Sequence, residues 1–122
     1  MKKTMNKGPY ACGVDAAVDA VSGKWKSSIL WELHVHGTRR FAELRRGVPG
    51  VSEKMLIQHL REMEDDGLVH REVYAVVPPK VEYSLTDHGA ELNAALQYLA
   101  EWGDLHIRRI GAQKLEAVPE SA

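Results

Sequence analysis

Between Val51 and Asp87 the hydrophobic period of the chain changes twice, and few folds accommodate that order in so short a stretch. Leu56, Leu60 and Met63 stand at i, i+4 and i+7, the apolar stripe of a helix. Ser52 precedes it as an N-cap, its hydroxyl able to accept from the open N–H groups of the first turn. Glu53 suits the positive end of the helix dipole. Gly67 can take the left-handed conformation that stops a helix. Beyond Gly67 the period falls to two. Val69, Arg71 and Val73 alternate with His70, Glu72 and Tyr74, and Val81, Tyr83 and Leu85 with Glu82 and Ser84. This predicts two strands joined by Ala75–Lys80, a loop stiffened by Pro78 and Pro79, which cannot extend a ladder. Thr86 then caps a long last helix whose apolar face is Leu92, Ala95, Leu96, Leu99, Trp102 and Ile110.

Upstream, the pattern predicts a short helix over Val14–Val21 that stops near Gly23, and a second over Lys26–His36 that buries Trp25, Ile29 and Leu33 and ends at Gly37. Thr38-Arg39-Arg40 reads as an extended link. Phe41, Leu44 and Val48 are spaced for a third short helix, and Val48-Pro49-Gly50-Val51 is a turn by composition. Two short helices joined by a Pro-Gly turn and followed by a hairpin describe a winged helix-turn-helix, mainly α with a small β-hairpin wing (α+β). The expected division is an N-terminal tail over 1–11, one domain over 12–111 and a C-terminal tail over 112–122.

That arrangement makes residues 52–66 a recognition helix. Its N-terminal half enters the major groove, which explains donors early and acids late. Lys54, Gln58 and Arg61 share a face, and each can donate to a base edge: Gln to adenine, Lys or Arg to guanine. Ser52 belongs to the same end, and Glu53 fits if it accepts from a cytosine amino group or points aside. Arg39, Arg40, Arg45 and Arg46 precede this helix as phosphate contacts, with at least one expected to be tied up in a surface salt bridge. Lys24 and Lys26 begin a helix, where backbone N–H groups can add to a phosphate site. Lys80 at the wing tip can reach an adjacent groove or its backbone. Arg71 is open between such a contact and a pair with Glu82 across the hairpin.

The net charge of −1 conceals an asymmetry. Residues 1–61 carry 11 Lys/Arg and 5 Asp/Glu, whereas residues 62–122 carry 5 and 12. The basic half holds the N-terminal part of the recognition helix, a placement suited to a polyanion. No apolar run reaches the roughly 18–20 residues of a membrane span. The basic start Met1-Lys2-Lys3-Thr4 has no apolar segment behind it, so no signal peptide is read and no membrane partner is expected. The single cysteine, Cys12, excludes an intrachain disulfide and fits a reducing cytoplasm.

A family resemblance rests on Gly23-Lys24-Trp25, Arg40-Phe41-Ala42-Glu43-Leu44-Arg45, Ser52-Glu53-Lys54-Met55-Leu56, Leu60 through Val69, Pro78 through Thr86, and Trp102-Gly103. In this order, over residues 12–103, the chain resembles the HxlR-type winged-helix regulators of bacteria. The resemblance implies a cytoplasmic homodimeric transcription factor, by default a repressor. It would be held together by its first and last helices, here Val14, Ala17 and Val18 with Leu96, Leu99 and Trp102. It also implies a near-palindromic operator, with half-sites roughly 34–36 Å apart or a multiple of that. In several relatives of this kind a cysteine at the N-terminal position senses oxidants or electrophiles. Cys12 stands just before the first helix, where a helix N-terminus favours thiolate. The competing reading is a small buried residue at a dimer seam.

The six histidines form no ligand pattern: His34 and His36 do not converge on a helix, and the others are scattered, so no metal is expected. Trp25, Trp31 and Trp102 read as core or dimer-seam residues rather than nucleobase platforms. No Gly-rich phosphate loop, carboxylate pair or base partner for Cys12 is present, so neither an enzyme nor a cofactor is expected. Two alternatives stay open: a regulator responding to a small-molecule effector, and a winged-helix module for protein contact without DNA binding.

Overall fold

The computed structural model describes residues 7–115. The elements run α1 (Gly13–Ala20), α2 (Lys26–His36), β1 (Arg39–Arg40), α3 (Phe41–Gly47), α4 (Glu53–Asp65), β2 (Val69–Tyr74), β3 (Lys80–Leu85) and α5 (Asp87–Ile110). This is the winged helix-turn-helix that the sequence predicts. Residues 1–6 of the expected N-terminal tail and 116–122 of the C-terminal one lie outside the described residues.

The core is one cluster. Ile29, Leu30 and Leu33 of α2, Leu44 of α3 with Val48, and Leu56, Leu60 and Met63 of α4 are buried together with Val51, Leu68 and Val69. Tyr83 and Leu85 of β3 and Leu92 and Leu96 of α5 close it from the other side. Helix α2 therefore contributes to the middle of the core, and α4 turns one face into it.

Local chemistry fixes both ends of α4. Ser52 Oγ accepts from Met55 N at 3.1 Å, the expected N-cap. At the other end Gly67 takes φ +77°. Leu68 N donates to Met63 O at 2.8 Å and Gly67 N to Glu64 O at 3.0 Å. Those two bonds, with Met63 and Leu68 both buried, make a Schellman stop. The start of α5 is fastened to this stop. Thr86 Oγ1 accepts from Gly89 N and donates to Gly67 O. The approach is so close that a Cβ on Gly89 would overlap the Leu68 carbonyl oxygen.

The sheet has three antiparallel strands in the order β1-β3-β2. The supposed link at Arg39–Arg40 is its third strand, with Arg39 opposite Tyr83 and Arg40 opposite Glu82. Two residues carry too little pattern to announce a strand. The hairpin register pairs Arg71 with Tyr83 and Glu72 with Glu82. Opposed residues share a face of a sheet, so Arg71 and Glu82 point to opposite sides and the pair between them, one of the two readings open for Arg71, does not form.

Candidate nucleic-acid interface

Helix α4 has two unlike faces. Leu56, His59, Leu60 and Met63 are buried and hold it to the body. Lys54, Ile57, Gln58 and Arg61 are exposed, and with Glu53, Glu62 and Asp65 they line an open depression of about 730 Å³. The structure thus brings together the three donors chosen from the sequence. It adds Ile57, which sequence reasoning missed because an isoleucine three residues from Lys54 reads as core. An exposed apolar side chain among donors is the group that can meet a thymine methyl. Ser52 and Glu53 stand at the helix start, where Glu53 pairs with Arg45 at 3.6 Å between two exposed side chains. Glu53 thus points aside, toward α3.

The donors are not equally free. Gln58 Nε2 donates to Glu62 Oε2 at 3.1 Å. Glu62 Oε1 is in turn 2.8 Å from Lys26 Nζ. Lys26 is only 3 % exposed, which corrects its expected phosphate role: its ammonium is spent inside, on Glu62. Burial pushes the Glu62 carboxyl up, but hydrogen bonds from Lys26 and Gln58 and the Lys26 charge outweigh it, and the group is held down at about 2. His59 Nδ1 lies 3.5 Å from the same Oε1, without hydrogen-bond geometry.

The four arginines divide. Arg39 is held by Glu32 at 3.7 Å and Glu43 at 3.6 Å; because Glu32 is buried and Arg39 largely so, this is a partly buried ion pair and not the surface one expected, and it corrects the expected phosphate role of Arg39. Arg40 gives its backbone N–H to Glu43 Oε1 at 2.8 Å, closing the first turn of α3, and its side chain stays at the surface. That bond, helped by Arg39, Arg46 and Arg40, holds the Glu43 carboxyl below the usual range. Arg45 and Arg46 are exposed on the last turn of α3. Lys24, two residues ahead of α2, lies over the ring of Trp25 at 4.9 Å. Lys80 rests on the Tyr74 ring at 4.6 Å and 3.8 Å from Glu82, on the face of the wing that those residues share. Hydrogen bonding to Glu82 raises the Tyr74 hydroxyl above its ordinary range.

Cys12 is exposed at the N-cap of α1, and its thiol makes no cap hydrogen bond. The segment ahead of it lies along the domain. Tyr10 Oη donates to Asp19 at 2.6 Å, which pushes the phenol up to about 12. Lys7 Nζ reaches Asp66 at 3.1 Å and Asp19 at 3.8 Å. This contact at the end of α4 explains one of the late acids that helix propensity does not. Helix α1 has no buried residue, with Val14 71 % and Val18 59 % exposed, and Ala17 is exposed as well. Leu99 at 61 % and Trp102 at 59 % stand out from the far half of α5. Leu96 differs: it packs half-buried on the core of its own chain. Trp25 packs on that core too, whereas Trp31 is exposed. Among the described residues no group of His, Cys, Asp and Glu could hold a metal ion.

Comparison with known proteins agrees with this fold. The family described as HxlR-like helix-turn-helix matches residues 20–110. The uncharacterised HTH-type transcriptional regulator YtcD of Bacillus subtilis is 44 % identical over 96 % of this chain and 92 % of its own. A structure from Enterococcus faecalis, described as a MarR-family transcriptional regulator, superposes with a TM-score of 0.74 at 39 % identity, covering 90 % of this chain and 98 % of that one. The redox regulator HypR in its reduced form gives 0.72 at 43 % identity, over 81 % and 96 % of the two chains. Its oxidised form gives 0.70 at 41 %.

Proposed function

This chain belongs to the HxlR-like helix-turn-helix family and is a transcriptional regulator of that type, and from that premise we propose that it is a homodimeric, sequence-specific repressor in the cytoplasm whose DNA affinity is set by Cys12. The observation that carries the reading is the outward face of α4. Lys54, Ile57, Gln58 and Arg61 stand together on a helix whose opposite face is buried in the core. Such a helix enters a major groove as a rigid body, so its contacts read bases rather than adapt to them. Arg40, Arg45, Arg46, Lys24 and Lys80 serve as phosphate contacts that fix register without reading sequence.

The exposed Val14, Ala17 and Val18 of α1 and Leu99 and Trp102 of α5 support the dimer, since apolar side chains this exposed gain most from a second copy. Two protomers related by a two-fold axis read a near-palindrome, and occupancy of that operator blocks transcription. Exposure of Cys12 beside α1 supports the switch, as does likeness to a regulator that has reduced and oxidised forms. Two Cys12 thiols, one from each protomer, lose two protons and two electrons to an oxidant such as diamide and form one S–S bond. The bond changes how the two α4 helices sit relative to each other, and both must dock in register. The test is binding of the reduced and diamide-treated protein to a palindromic duplex, with Cys12→Ser alongside. Oxidation alters affinity only when Cys12 is present. An equal response in Cys12→Ser removes the thiol from the account, and absence of sequence preference removes the DNA.

A further inference from the structure

The contact between Gln58 and Glu62 says which base the middle of α4 reads. At neutral pH Glu62 is a carboxylate, so both its oxygens only accept. Lys26 Nζ takes Oε1 at 2.8 Å, and Oε2 is left for Gln58 at 3.1 Å. Gln58 must turn its NH2 toward that oxygen, because the flipped amide would set carbonyl against carboxylate. One N–H of Nε2 and the carbonyl Oε1 then remain for the groove. Adenine offers there an N7 acceptor beside an N6 donor, which match a remaining N–H and Oε1. Guanine offers two acceptors, and its O6 would face Oε1.

We infer that Glu62, anchored by the buried Lys26, is a specificity-determining positioning residue that holds Gln58 in the orientation for bidentate reading of adenine in each half-site. The inference rests on the reading of α4 as the recognition helix. Glu62 does not itself touch the base. Its part is to hold a long, rotamer-rich side chain ready, so that less freedom is lost on binding. Lys26 supplies the rigidity: it is 3 % exposed, and nothing but a partner of opposite charge suits it at that depth.

The experiment is selection from a pool of randomised duplexes with the reduced full-length protein and with Gln58→Ala, Glu62→Ala and Glu62→Gln. In the native motif one column per half-site prefers adenine by on the order of ten- to hundredfold. Gln58→Ala flattens that column alone. Glu62→Ala weakens it by roughly three- to tenfold and leaves the others. In Glu62→Gln the one amide oxygen goes to Lys26 and an NH2 faces Gln58, so the column stays weak although the side chain keeps its shape. If Glu62→Ala does not fold, the double substitution Lys26→Met with Glu62→Ala removes both charges and leaves neither buried alone. A native motif with no adenine column that depends on Gln58, or one that loss of Glu62 leaves unchanged, overturns the inference while DNA reading stands. Failure of the native protein to enrich any sequence overturns both.

Discussion

Replacing Glu62 by glutamine should weaken the fold in a way that depends on pH. The Glu62 carboxyl is held at about 2 instead of its ordinary 4.5. At about 1.4 kcal/mol for each tenfold change in proton affinity, that sets a ceiling of about 3 kcal/mol for its charge in the folded state. The Glu62 side chain is 32 % exposed, so solvent screens part of this, and about 1–2 kcal/mol is the expected size. Because folding lowers this pKa, the stabilisation is complete above about pH 4.5 and is lost as the pH falls toward 2. Glutamine keeps the shape but carries no charge, so Lys26 stays buried beside a neutral amide. Urea unfolding of the native protein and Glu62→Gln at several pH values between 7 and 2.5 measures the difference directly. It should be constant from pH 7 to about 5 and shrink below that, because other carboxylates cancel in the comparison. A gap that stays the same down to pH 2.5, or no gap at pH 7, would refute the reasoning.

Four further outcomes follow from the geometry. Ser52→Ala removes the cap on α4 and should cost about 1 kcal/mol, read as a drop in Tm of about 4 °C. Gly89→Ala places a methyl group against the Leu68 carbonyl oxygen, where backbone must yield, and should cost about 3 kcal/mol in urea unfolding. Arg46→Ala should weaken every sequence alike and reduce the slope of log affinity against log salt by about 1, whereas Arg61→Ala should also relax base preference. On a non-reducing gel, diamide should convert the native protein, and not Cys12→Ser, to a band of twice the mass.

Much of this was legible before any coordinates. The N-cap at Ser52, the stop at Gly67, the hairpin and the cap at Thr86 depend on side chains a few residues apart, and short-range chemistry is what a sequence displays. The outward donors on α4 were legible for the same reason, since helical spacing alone puts Lys54, Gln58 and Arg61 on one side. What escaped depends on pairs brought together from afar. Lys26 looked like a surface cation because lysine is almost never buried unless paired, and its partner Glu62 lies in another helix. The register that separates Arg71 from Glu82 is set by the pairing of β2 with β3, to which a count of alternating residues is blind. An acid such as Asp66 is unfavourable at a helix C-terminus, and its partner Lys7 belongs to a segment with no periodicity at all, so the pair leaves no trace in the sequence pattern.

In the proposed function two copies of α4 read a palindrome through Gln58 and Arg61. Fluorescence anisotropy on a duplex enriched by selection, beside a scrambled duplex at several salt concentrations, tests it most directly. The expected result is two protomers per duplex, log affinity that falls linearly with log salt, and loss of the preference for the selected duplex when Gln58 and Arg61 are both alanine. Equal binding of both duplexes, or a preference that survives those two substitutions, would contradict it.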